Sequence, residues 1–247
     1  MKLSEVMQRL KAQANPANVE GMARYGIVSK NAFGLTAPLL RALAKEIGTD
    51  QKLSLQLWET GTYEGRTLAA LIGDPDQVTV GQMEAWVRQF DSWAICDTCC
   101  SNLFDRTPFA YRKAVEWSRR KEEYVKRAGY VMMAVLAVHD KKAEDTKFLR
   151  FLPLIGRGAM DERNFVRKAV NWALRQIGKR SLFLHPHAVK TAEEIRRMDS
   201  GAAKWVASDA LRELKSPAVL NRLKGKSGRS RVKGRERARI GGKRRER

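Results

Sequence analysis

The chain has 247 residues, 43% of them hydrophobic, and its 48 Lys and Arg outnumber 27 Asp and Glu to give a net charge of +21. A chain of this length buries roughly 70% or more of its unfolded surface and needs no disulfide or metal staple, while its charge points to a polyanionic partner, nucleic acid first and an anionic membrane second. The membrane reading fails because a span needs roughly 20 apolar residues, about twice the longest apolar run, Tyr130 to His139, so a cytoplasmic protein with no membrane partner is expected.

The first segment reads as an amphipathic helix rather than a signal peptide, with Leu3, Val6, Met7 and Leu10 on one stripe. Thr36-Ala37-Pro38 starts another helix, whose stripe is Leu39, Leu40, Leu43 and Ile47. Breakers then recur between helical stretches, at Thr60-Gly61-Thr62, Gly73-Asp74-Pro75, Arg106-Thr107-Pro108 and Leu152-Pro153. Pro153 is expected in a first turn or at a kink. Strand-like alternation is nearly absent.

Ser92-Trp93-Ala94-Ile95-Cys96-Asp97 opens a helix on a good N-cap pair, Asp91-Ser92. Trp93 and Asp97, four residues apart, fall on the same side of that helix. Cys96, Cys99 and Cys100 are the only cysteines; an odd local cluster is a poor disulfide framework. Zinc would need two more ligands, and His139, His185 and His187 are distant in sequence. Thiols packed in or near the core, with no metal and no cofactor, are expected.

A repeat emerges in the second half. Tyr124-Val125-Lys126-Arg127-Ala128 matches Phe165-Val166-Arg167-Lys168-Ala169 at an offset of 41, and Tyr63-Glu64-Gly65-Arg66 carries the same aromatic and basic positions 61 residues earlier. Gly201-Ala202-Ala203-Lys204 is a fainter echo. Such spacings fit HEAT-type helical hairpins, which bury their apolar faces by stacking on neighbours. The expected fold is an all-α solenoid with a concave basic face, along which Arg66, Arg127 and Lys168 form a ladder of positive charge. Stacking would also bring Trp93, Asp97, Arg127 and Trp172 together on that face. Trp58, Trp86, Trp117 and Trp205 are assigned to packing.

From residue 222 the composition changes to thirteen Lys and Arg against two Glu, net +11, which leaves +10 for residues 1–221. Residues 222–247 are expected to be a disordered basic tail that adds phosphate contacts.

Beyond these readings, the chain resembles the AlkD family of DNA alkylation repair glycosylases, built from HEAT-like repeats. The landmarks are Met22-Ala23-Arg24-Tyr25, Phe33-Gly34-Leu35, Ser92-Trp93 through Asp97, Tyr124 through Ala128, and Lys168 through Arg175. The resemblance implies hydrolysis of the N-glycosidic bond of purines alkylated at N3 or N7, in double-stranded DNA. It puts Asp97 at the catalytic carboxylate position, Trp93 and Trp172 against the lesion's sugar, Arg127 at the DNA and Tyr25 along the site. One departure is Ala94, where some members carry Asp. Three of these residues also have a structural alternative: Trp172 as packing, Asp97 as a helix surface charge or the partner of a neighbouring Arg, Trp93 as a hydrophobic staple. The alternative for the whole chain is a non-catalytic, DNA-structure-binding solenoid. A monomer is expected in either case.

Overall fold

The structure, a computed structural model, describes residues 1–27 and 31–225. Among these, helices are set off by the expected breakers and caps. They are α1 (Leu3–Ala12), α2 (Pro16–Arg24), α3 (Ala37–Ile47), α4 (Gln51–Glu59), α5 (Tyr63–Ile72), α6 (Val80–Arg88) and α7 (Trp93–Asn102). After a 3-10 turn, Phe104–Arg106, come α8 (Ala110–Trp117), α9 (Glu123–His139), α10 (Thr146–Leu149), α11 (Leu152–Gly158), α12 (Asn164–Gly178), α13 (Leu184–Arg196) and α14 (Gly201–Leu214). Asp50, Thr62, Thr79, Ser92 and Ser200 each accept a backbone N–H of the first turn that would otherwise lack a partner. Pro38 and Pro153 both sit in first turns, where a missing N–H costs nothing.

The packing order explains the repeat. Helices α3, α5, α7, α9, α12 and α14 lie side by side, each against the next, while α4, α6, α8, α11 and α13 back that row. This is the α-solenoid expected from the offset of 41. The apolar run from Tyr130 to Ala137 is the buried centre of α9, and no helix among the described residues is long and apolar enough to cross a membrane.

The core is continuous from Val6 to Leu214. Trp58 and Trp86 stack 4.0 Å apart, and Trp117 is fully buried beside Phe104; such aromatic pairs add ~0.5–1.5 kcal/mol beyond their area. The three cysteines are buried between α7 and α9, with Cys96 Sγ 3.6 Å from the Tyr124 carbonyl. Burial pushes the Cys99 and Cys100 thiols well above their ordinary range. They act as small core residues. Trp205 departs from its assignment: it is 39% exposed.

At the C-terminal end, residues 217–225 are helical and Leu223 is buried. The folded body therefore reaches residue 225, past the boundary expected at 221. The rest of the basic tail lies outside the described residues.

Candidate nucleic-acid interface

The row of helices places equivalent positions together. Asp97, Arg127, Lys168 and Trp205 are each the fifth residue of their helix, α7, α9, α12 and α14. The first three open onto a cleft of about 490 Å³, shared with Tyr25, Trp93 and Phe165. A larger cleft, about 730 Å³, lies near the C-terminal ends of α9 and α12, but its lining, which includes Lys141, Glu144 and Gln176, has no indole and no resemblance-derived residue.

The centre of the smaller cleft is a bidentate ion pair. Arg127 donates from Nε to Asp97 Oδ1 at 2.9 Å and from Nη2 to Oδ2 at 2.8 Å, while Nη1 donates to the Phe165 carbonyl at 2.6 Å. A planar guanidinium suits this fork, and a lysine would not replace it. The Arg127 side chain is 7% exposed and that of Asp97 is 21% exposed, so the carboxylate is the member that meets solvent. Burial pushes the Asp97 carboxyl above its ordinary range, with Arg127 opposing. For Arg127, burial works against the charge, yet Asp97 holds its pKa above the usual value.

Around this pair the indole of Trp93 is tethered at the far side of the sequence: its Nε1–H donates to the Tyr25 carbonyl at 2.8 Å. The Arg127 guanidinium stands 6.0 Å from the Trp93 ring centroid. Trp93 thus lines the cleft. The Tyr25 side chain is 74% exposed. Its following residue, Gly26, has φ +74, and a Cβ there would come within 2.7 Å of the Phe165 ring. Glycine is required at that close approach.

Two parts of the expected constellation are not brought into the cleft. Trp172, one turn beyond Lys168, is partly buried against the core cluster and is not among the lining residues. The charge ladder is also uneven. Arg66 lies 5.1 Å over Trp58, donates to the Gln89 carbonyl and side chain at 3.1 Å, and reaches Asp91 at 3.4 Å. It is spent in holding α5 to the α6–α7 loop. Arg127 is committed to Asp97, a contact the sequence reading offered only as the alternative for Asp97. Lys168 is the rung that is exposed and lines the cleft.

Among the buried carboxylates that the sequence did not announce is Glu64. Glu64 is fully buried and accepts N–H bonds from Phe33, Gly34 and Leu35 at 2.8–3.2 Å. These bonds hold residues 33–35, where Gly34 has φ +81 and a Cβ would meet the Asn15 carbonyl at 2.2 Å. A signal was present in the repeat: Glu64 aligns with Val125 and Val166, both buried apolar positions. A carboxylate at such a position must be hydrogen-bonded.

The site holds no metal-binding set, since no group of three or more His, Cys, Asp or Glu that could hold an ion occurs among the described residues. What the cleft offers is a fixed carboxylate, an indole and an exposed lysine on a strongly basic chain. That combination suits a polyanion whose reacting part becomes positively charged.

A solved structure described as "a new family of proteins related to the HEAT-like repeat DNA glycosylases with affinity for branched DNA structures" matches with a TM-score of 0.72 at 20% identity, covering 86% of this chain and 95% of that one. At that identity the likeness shows the shared solenoid fold. No curated protein matches the chain. The family model described as DNA alkylation repair enzyme matches residues 6–214, from the first helix through the last turn of α14. The chain belongs to the DNA alkylation repair enzyme family.

Proposed function

We propose that this protein is a DNA glycosylase that hydrolyses the N-glycosidic bond of purines made cationic by alkylation at N3 or N7. The observation that carries this reading is the Asp97 carboxylate, gripped on both oxygens yet partly open to a cleft that Trp93 and Lys168 share. A cationic purine departs as a neutral base, so no general acid is required. The demand falls instead on the sugar, which gains oxocarbenium character as the bond breaks.

A preorganised carboxylate meets that demand, because its position does not have to be found during the reaction. Arg127 fixes its rotamer and leaves an oxygen edge toward the cleft. At close range that edge, rather than the distal guanidinium, faces the developing charge, and it can also orient the attacking water. The Trp93 indole face adds a cation–π contribution of ~0.5–2 kcal/mol. Lys168 contacts the phosphate backbone, and the basic chain as a whole attracts duplex DNA. Trp172 supports the lysine-bearing face of α12 from its half-buried position. The protein acts as a cytoplasmic monomer without a cofactor.

A second reading, DNA binding without catalysis, is favoured by two observations. The Asp97 charge is already matched by Arg127, and the similar solved structure is described by affinity for branched DNA. Incubation with duplex DNA carrying a single N7-methylguanine separates the two. Catalysis releases free base and leaves an abasic site; the second reading gives a bound but intact duplex.

A further inference from the structure

We infer that Trp205, backed by Arg167, is a stacking platform for an unpaired nucleobase, which makes it a second DNA subsite beside the cleft. The inference rests on the DNA-binding reading above but not on catalysis. Trp205 is the most exposed of the six tryptophans: Trp58, Trp86 and Trp117 are buried, Trp93 and Trp172 are partly buried, and Trp205 is 39% exposed. An indole left in water on a helix whose other face is packed with Ala202, Ala203, Val206 and Ala207 is not needed for that packing.

Its position is also not arbitrary. In α14 it is the fifth residue, as Asp97, Arg127 and Lys168 are in their helices and one past the Lys204 that the repeat sets at Lys168, and α14 packs directly on α12. The subsite therefore continues the edge on which the cleft lies.

Arg167 prepares the ring. Its guanidinium carbon sits 5.1 Å over the Trp205 centroid, its Nη2 donates to Asn164 Oδ1 at 3.4 Å, and its buried Nε has no hydrogen-bond partner. The cation thus stays on the ring rather than in a carboxylate pair, fixing the indole's orientation. Arg167 is the cation at this ring, while Lys204, the residue before Trp205, reaches the fully exposed Asp199 at 3.2 Å. Flat aromatic surface with a cation beside it is the chemistry that holds single-stranded nucleic acid.

The occupant must be unpaired. A base inside a duplex already has neighbours on both faces and offers nothing to an indole, whereas a base at a flap, a gap or a branch point has a free face. Stacking of this kind is worth roughly a tenfold change in affinity or more per base.

The test compares the full-length protein with W205A and W205F on two DNAs of equal length, a plain duplex and a duplex with a short single-stranded flap bearing 2-aminopurine at its first unpaired position. The wild type is expected to bind the flap roughly tenfold more tightly than the duplex and to quench the 2-aminopurine emission. W205A should lose the preference and the quenching while keeping duplex affinity within about twofold, and W205F should recover part of both. An unchanged flap-to-duplex ratio in W205A overturns the proposal, as does unquenched emission with the wild type. Wild-type binding to duplex with no flap preference also overturns it, and leaves the DNA-binding reading standing. Binding to neither DNA removes both.

Discussion

Two carboxylates on the same stretch of chain face α9, and their pairs differ in which member is turned to solvent. Asp97, on α7, meets Arg127 near the start of α9; Asp105, in the following 3-10 turn, meets His139 at its end, 2.5 Å from Nδ1. Both are pushed above the ordinary carboxylate range by burial, with their α9 partner opposing. The exposures are reversed. At Asp97 the base is buried and the acid is 21% exposed, whereas at Asp105 the acid is 1% exposed and His139 is 48% exposed. Only the first arrangement presents a carboxylate to something outside the protein.

The largest effect on stability should come from breaking the open pair. Arg127→Ala leaves Asp97 without its partner and the Phe165 carbonyl without its donor. Removing one partner of a fully buried pair costs ~3–5 kcal/mol, and the solvent access of Asp97 reduces this to about 2–4 kcal/mol. Chemical denaturation measures it. A loss under about 1 kcal/mol would mean that Arg127 is free to serve DNA instead.

Asp105 gives a smaller effect with a definite pH signature. An acid whose folded pKa lies above its unfolded value of about 3.9 weakens folding as pH rises between those two values, with no further loss above them. Asp105→Asn removes that titration. The variant should therefore gain on the wild type as pH climbs from about 4, and lie within about 1 kcal/mol of it at neutrality because the amide still reaches His139. Melting temperatures between pH 3.5 and 7 give the comparison. A relative loss over the same range would show that His139 holds the carboxylate below its ordinary value.

Lys168→Ala should hardly change stability, since the side chain is exposed. It should weaken binding to every duplex alike and lower the slope of log K against log salt by about one phosphate contact. Arg127→Ala protein that remains folded should keep the wild-type slope, because its guanidinium is spent on Asp97 and the Phe165 carbonyl and makes no phosphate contact to lose. Equal slopes for wild type and Lys168→Ala would move the DNA track off this cleft.

The solenoid was legible because its signals are local. The Ser92 cap, the breakers and the repeated aromatic and basic positions act within one or two turns, and the row of helices followed from them. The convergence of Trp93, Asp97 and Arg127 followed from the repeat together with a family resemblance. The use of Arg127 did not, because a bidentate contact between residues 30 apart depends on how two neighbouring helices are turned. Arg66 failed as a rung for the same reason: Trp58 and Gln89 capture it from adjoining helices. Trp205 was assigned to packing, yet it is 39% exposed while Val206 and Ala207 beside it are core residues, since sequence neighbours on a helix face different ways. Glu64 lay hidden in a motif read for its basic residue.

The central claim is that the Asp97 charge acts on the reacting sugar and not on DNA binding. Asp97→Asn keeps the shape and a hydrogen bond to Arg127 but removes that charge. The direct measurement is single-turnover release of N7-methylguanine from duplex DNA at saturating protein, with the dissociation constant for the same duplex determined in parallel. The account predicts a rate lower by about 10²–10³-fold, the range for losing one preorganised electrostatic group, with a dissociation constant within a few-fold of the wild type. Base release by Asp97→Asn at the wild-type rate would contradict it.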